Sequence, residues 1–296
     1  MIRWYRMFHT VSLRTSLSTL WFSLVFFGSL NASWAADFQS PRTTGLGGAG
    51  VAGPLTNDSI YLNPSYASFL EAYSVSGSYS SVQDPTNEGR LLNVSVVDGR
   101  SPLFQAGVGY TVRPRDAWVH LGASKAVANR VSIGVGGKLI MDRGKPDAKE
   151  GTVALTVLPS DWLQLSLVGD NLIGDKDGAE KYHLNREVIL GTKLLVMGMV
   201  VGYIDPHFFP SPHDKGNRFG FSLGGELTIF KDFFGRIGYF RNTNVPYASV
   251  RGQGLGLGLG WMAQRISLDY AFQRMQRSIA GIGNANSHVF GATIFF

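Results

Sequence analysis

The sequence predicts an all-β fold: a transmembrane, antiparallel, up-and-down β-barrel of about 14 strands with an N-terminal internal plug. Three observations predict it. From Tyr73 onward, segments of about ten residues alternate apolar with small or polar side chains, the period of a strand with two unlike faces. The chain opens on an export signal. It closes on an aromatic residue at the end of one more alternating segment.

Composition narrows the function classes. Charged residues are 16% of the chain and apolar ones 44%, against roughly a quarter charged in an ordinary soluble domain. That disfavours a soluble enzyme of ordinary composition and excludes a disordered chain. The absence of cysteine removes disulfide scaffolds, Cys-ligated metal sites and thiol nucleophiles. Of the net charge of +6, Arg3, Arg6 and Arg14 supply three units within the first fourteen residues. No later Lys/Arg run tracks a phosphate backbone, so nucleic acid is not expected as a partner.

Residues 1–35 read as a signal peptide. The basic stretch Met1 to Ser16 leads into the apolar run Leu17 to Leu30, and Ser33 and Ala35 form the small pair before a cut after Ala35. The run has fourteen residues, whereas a membrane anchor needs about 20. The candidates further on, 188–204 and 252–262, are interrupted by Gly, Thr and Lys. An exported chain of this kind crosses a membrane, if it does, as strands, which places it in the bacterial outer membrane with lipid around it.

Residues 73–296 read as the barrel, with strands at 73–82, 90–97, 104–113, 117–127, 130–141, 150–158, 162–170, 186–194, 196–204, 218–230, 233–241, 253–262, 265–273 and 287–296. Between 251 and 261, Leu255, Leu257, Leu259 and Trp261 point one way and Gly254, Gly256, Gly258 and Gly260 the other. Connections alternate short and long, the long ones including 142–149, 170–185, 205–217, 242–252 and 274–286. Short periplasmic turns, long outer loops and an even strand count are the pattern of outer-membrane barrels. A tight turn near Leu195 separates the eighth and ninth strands, but no turn residue stands between Leu194 and Val196, which leaves twelve strands as the alternative. Closure supplies the physical reason, since every backbone N–H and C=O in hydrocarbon must pair within the protein. A soluble sandwich would also alternate, but its polar face would carry more Lys and Glu. In the last segment Phe290, Ala292, Ile294 and Phe296 share a face and the chain ends on an aromatic. This resembles the assembly signal of bacterial outer-membrane proteins, which implies the barrel-assembly machinery as a partner.

Residues 36–72 read as the plug. A barrel of this size has a lumen wider than side chains fill, and Gly220, Gly224, Gly254, Gly256, Gly258 and Gly260 leave the wall bare. Ile60, Tyr61, Leu62, Tyr66 and Phe69 give the segment apolar surface to bury. Gly45, Gly47 and Gly50 fit G-x-G-x-x-G, but a dinucleotide site needs a preceding strand, a following helix and a later acid, so no cofactor is expected.

The Gly-rich stretch Gly45 to Gly53, the polar Asn57-Asp58-Ser59 and then Asn63-Pro64-Ser65 just before the first strand resemble the N-terminus of the FadL family of long-chain fatty-acid channels and its PorV/PorQ relatives, which carry Asn-Pro-Ala there. The C-terminal third, Gly224 to Tyr239, Gly254 to Gly260 and Ser267 to Phe272, is more similar to PorV/PorQ. The resemblance implies a plugged barrel and two functions: a channel for hydrophobic small molecules, or a non-transporting partner in protein secretion or surface assembly. It makes Asn63 and Pro64 plug candidates.

Alternation places Arg113, His120, Lys138, Glu187, Lys193, Glu226, Arg236 and Asp269 in the lumen. Glu226 and Arg236 flank the Lys231-Asp232 turn nearly symmetrically and so fall within ion-pair reach on neighbouring strands. His207, His213 and Asp214 share a loop whose spacing is too loose to specify a metal, so no metal site is expected. Ser287 and His288 point to opposite faces, which leaves no catalytic pair and argues against an enzyme. Phe208 and Phe209 read as an apolar loop patch.

Overall fold

The computed structural model describes residues 38–84, 87–114, 116–212, 217–244, 251–277 and 284–296. The stretch 1–35, read above as a signal peptide, and His213 and Asp214 lie outside the described residues. Strands β1 (Tyr73–Asp84), β2 (Asn87–Asp98), β3 (Gln105–Val112), β4 (Asp116–Ala128), β5 (Val131–Asp142), β6 (Lys145–Ser160), β7 (Leu163–Gly174), β8 (Glu187–Val196), β9 (Val200–Phe208), β10 (Phe219–Phe230), β11 (Phe233–Asn244), β12 (Arg251–Met262), β13 (Ile266–Arg277) and β14 (Ala285–Phe295) close one barrel in sequential order. All neighbours are antiparallel, and β1 pairs with β14 from Ser74↔Phe295 to Gln83↔Asn286. The closing seam leaves no free edge.

The alternation translates into two faces. Along β12, Leu255, Leu257 and Leu259 are exposed while Gly254, Gly256, Gly258 and Gly260 are buried. Val94, Leu121, Val135, Leu190, Ile237 and Phe290 extend that outward apolar surface around the ring. In water such a continuous patch would be far larger than a monomer tolerates, whereas against lipid tails it matches its solvent.

The count is fourteen and not twelve. Val196 pairs with Val200 across a turn in which Met197 (φ 52°) and Gly198 (φ 71°) are left-handed, the geometry of a tight hairpin. The turn therefore lies two residues beyond Leu195. A second difference concerns 142–149, expected as a long connection. Asp142 pairs with Lys145 and Met141 with Pro146, and the turn is only Arg143 (φ 49°) and Gly144 (φ 79°). Pro146 is accommodated where the β5–β6 register shifts, because a bulge leaves a residue without its ladder bond and the proline has no N–H to offer.

Before β1 come α1 (Pro41–Gly45), α2 (Asp58–Leu62) and a 3₁₀ helix, Pro64–Phe69. Ser40 starts α1 as a capping box with Thr43, followed by Pro41 at the first helical position, where its missing N–H costs nothing. Helix α1 packs on β11 to β14, α2 on β3 and β4, and the 3₁₀ helix on β3 to β6. The bare wall positions meet backbone of this segment. A Cβ at Gly256 would overlap the Thr44 carbonyl, one at Gly238 the backbone of Leu46, and one at Gly134 the backbone of Ser65. A further helix, α3 (Lys176–Lys181), caps the β7–β8 connection.

Candidate functional site

Asn63 fastens the N-terminal segment to the wall. It is fully buried. Its Nδ2 lies 2.8 Å from the Val51 carbonyl, 3.0 Å from Thr156 Oγ1 and 3.0 Å from Ser166 Oγ. Its Oδ1 accepts from the Ser65 hydroxyl at 2.6 Å and the Ser65 N–H at 3.2 Å. Ser65 Oγ is also 2.7 Å from Thr156 Oγ1, a wall contact that an alanine there would lack. Pro64 packs against the bare positions Gly122 and Gly136. A second fastening is the Asp205 carboxylate, which accepts the N–H groups of Gly50 at 2.7 Å and Val51 at 3.0 Å.

A charge cluster lies under α1. Glu226 and Arg236 are register partners, with Arg236 Nε donating to Glu226 Oε2 at 2.6 Å. Arg236 Nη1 donates to Asp269 Oδ1 at 2.5 Å. Arg42 from α1 comes within 3.6 Å of Glu226 and donates to the Tyr203 hydroxyl at 2.6 Å. Two guanidiniums thus face two carboxylates, the balance that a poorly hydrated lumen requires. Ser40 Oγ donates to Asp58 at 2.7 Å. Removal from water pushes the Asp58 carboxyl up to about 6, against that hydrogen bond and the positive charge of Arg42.

Of the remaining lumen candidates, Lys193 lies within Coulombic reach of Arg42 and Glu226, and Lys138, Arg113 and His120 sit apart from this cluster. Lys138 donates to Asp170 at 2.6 Å and Asn171 at 3.1 Å. Arg113 is 3.1 Å from Asp116 and lies over the Trp118 ring. His120 is buried with its ring edge-on to Tyr61, 4.7 Å between centroids. Lys193 lies against Gly53 of the segment.

Two sequence expectations change. His207 is not in a loop: β9 continues to Phe208, and Tyr203, Asp205 and His207 are all buried while Ile204 and Phe208 are exposed. Pro206 marks this stretch as a loop in the sequence, but the β8–β9 ladder only skips Asp205 and Pro206 between Ile189↔His207 and Thr192↔Ile204 and resumes in the same register, while Pro206 pairs with Phe221 of β10. The Phe208–Phe209 patch also divides. Phe208 faces outward against Phe219, with ring centroids 5.2 Å apart. Phe209 is fully buried, with Arg251 4.5 Å from its ring centroid, because the chain turns in past the strand end and a guanidinium face covers the ring.

A cavity of about 160 Å³ separates the segment from the wall, among strand ends next to the longer connections. Phe38, Val51, Tyr61, Leu184, Ile189 and Phe240 supply its apolar lining, and Glu187, His207 and Ser222 part of its polar lining. His207 Nδ1 makes a short contact with Glu187 Oε1, and Asn244 Nδ2 donates to Glu187 Oε2 at 3.3 Å.

Comparison with solved structures places this architecture. The CymD monoaromatic hydrocarbon channel superposes with a TM-score of 0.64 at 10% identity, over 87% of this chain and 97% of that one. The toluene transporter TbuX of Ralstonia pickettii gives 0.63 at 11%, over 87% and 98%. A Pseudomonas aeruginosa FadL homologue gives 0.60 at 11%, over 90% and 99%. The chain has the FadL-type barrel fold. No protein-family model matches the sequence, and no curated protein is similar to it.

Within that FadL-type fold, sequence reasoning missed Arg42, Asp58, Tyr203 and Asp205. The first two lie in a segment without periodicity. The latter two carried a readable signal, the two-residue spacing of Tyr203, Asp205 and His207, which continues the strand through Pro206.

Proposed function

We propose that this protein is an outer-membrane channel for small hydrophobic molecules, exported by cleavage after Ala35, and that residues 36–72 are its plug. The observation that carries this reading is the cavity of about 160 Å³ between segment and wall. An apolar protein cavity of roughly 150 Å³ takes up benzene, so the space accommodates one ring-sized molecule. Its position next to the longer connections suits capture from outside, and the fold shared with named hydrocarbon channels agrees with that use. Passage then requires the segment to shift from its fastenings at Asn63 and Asp205. Against the secretion-adaptor alternative, the solved structures that share the fold are named as channels and transporters. The test is uptake of radiolabelled toluene by outer-membrane vesicles with and without the protein. Faster entry with the protein is expected, and equal entry would overturn the proposal.

A further inference from the structure

Three residues that line the same cavity each hold a buried polar atom without a hydrogen-bond partner among the described residues: His207 Nε2, Ser222 Oγ and Thr44 Oγ1. The three residues are 6%, 1% and 2% exposed. Buried polar groups are almost always paired, and those left over call for a reason. These three come from β9, β10 and α1 and converge on one cavity, so a single occupant could satisfy them all. On the wall, Ser222 faces Asp205 and Gly220 faces His207, so Ser222 and His207 are diagonal neighbours on the inward face, about 7 Å apart in such a pair.

The histidine is held in one orientation. Its Nδ1 meets the Glu187 carboxylate, an acceptor-only group when ionised. That contact engages Nδ1 and leaves Nε2 as the unpaired polar atom of the ring. Phe209 stacks against the imidazole, with centroids 6.4 Å apart and planes within 13°, which limits rotation of the ring. The site thus offers one imidazole nitrogen and two hydroxyls, next to an apolar lining of Phe38, Val51 and Phe240. A pure hydrocarbon would leave all three unpaired.

We propose that the cavity is a binding site for single-ring molecules bearing one hydroxyl group, which pairs with His207 Nε2 and with Ser222 or Thr44. The inference deepens the channel reading above and rests on it. A hydroxyl is the simplest group that both donates and accepts a hydrogen bond, and one ring fills a space of about 160 Å³. Sites built to hydrogen-bond a ligand hydroxyl discriminate strongly against the analogue without it.

The test is calorimetric titration of the full mature protein in detergent with three methylbenzene probes: toluene, p-cresol and p-toluate. p-Cresol is expected to bind at least about tenfold more tightly than toluene. Ser222→Ala and His207→Leu should each lower that preference several-fold. Ser222→Ala removes only one hydroxyl, so it keeps the test valid if His207→Leu fails to fold around Glu187. Equal binding of toluene and p-cresol would overturn the inference while sparing the channel. Tightest binding of p-toluate would overturn it by showing a donating imidazolium. Binding of no probe would overturn the channel reading as well.

Discussion

Arg236 donates to Glu226 at 2.6 Å across a directly paired β10–β11 register, and Arg42 brings the N-terminal segment to the same carboxylate. Removing one partner of a buried pair leaves a charge without compensation, at a cost of about 3 kcal/mol. Arg236→Ala also strands Asp269. Each single change, Arg236→Ala or Glu226→Ala, should loosen residues 38–72, read as faster proteolysis of that segment in folded protein. The double change should be milder than the sum by about 1 kcal/mol; strict additivity would show that the two do not act as a pair.

The wall glycines make a steric prediction. Gly238 and Gly256 lie where an added Cβ would enter the backbone of Leu46 or Thr44, whereas Gly202 has open space within 4 Å. Gly238→Ala and Gly256→Leu should displace the segment and expose it to protease. Gly202→Ala should leave protection at its parent level. A segment equally accessible in the parent would show that it does not occupy the lumen in the membrane.

Asp58 makes docking of the segment pH-dependent. Its carboxyl is raised from 3.8 to about 6 by burial, so the docked state holds the proton more tightly than the free segment does. Docking is therefore favoured at low pH, and that contribution is lost as pH rises through about 6. The groups that face it are Ser40, Arg42, Arg236 and Asp269. Hydrogen-exchange protection of residues 41–62, taken relative to the intrinsic exchange rate at each pH, should be higher at pH 4.5 than at pH 7.5, with part of the difference removed in Asp58→Asn. A difference unchanged in that variant would assign the effect to other groups.

The C-terminus makes an assembly prediction. Phe296 N–H donates to the Tyr73 carbonyl at 2.9 Å, and its ring lies edge-on to Tyr73, 5.7 Å between centroids. Phe290, Ile294 and Phe296 are all exposed on the outer face. Deleting Phe296 should lower the heat-modifiable, membrane-inserted fraction. Unchanged insertion would remove the assembly-signal reading.

The barrel is legible in the amino-acid order because a two-residue period is a local property: alternation alone fixes each strand's inward and outward sets, and spacing is enough to sort Leu255 to Gly260. Spacing also brings Glu226 and Arg236 together, since a short hairpin dictates who faces whom. Where a local symbol misleads, the reading fails. Pro206 and Pro146 resemble breakers, but each stays within its strand because the ladder resumes or shifts around it, and that depends on the neighbouring strands. The segment before Tyr73 has no period at all, so its contacts emerge only when the chain is folded: Arg42 beside Glu226, Gly50 and Val51 on Asp205, and Asn63 between Thr156 and Ser166. Closure of the ring brings wall residues from across the chain around one short peptide. No spacing along the sequence records that His207, Ser222 and Thr44 will meet at one cavity.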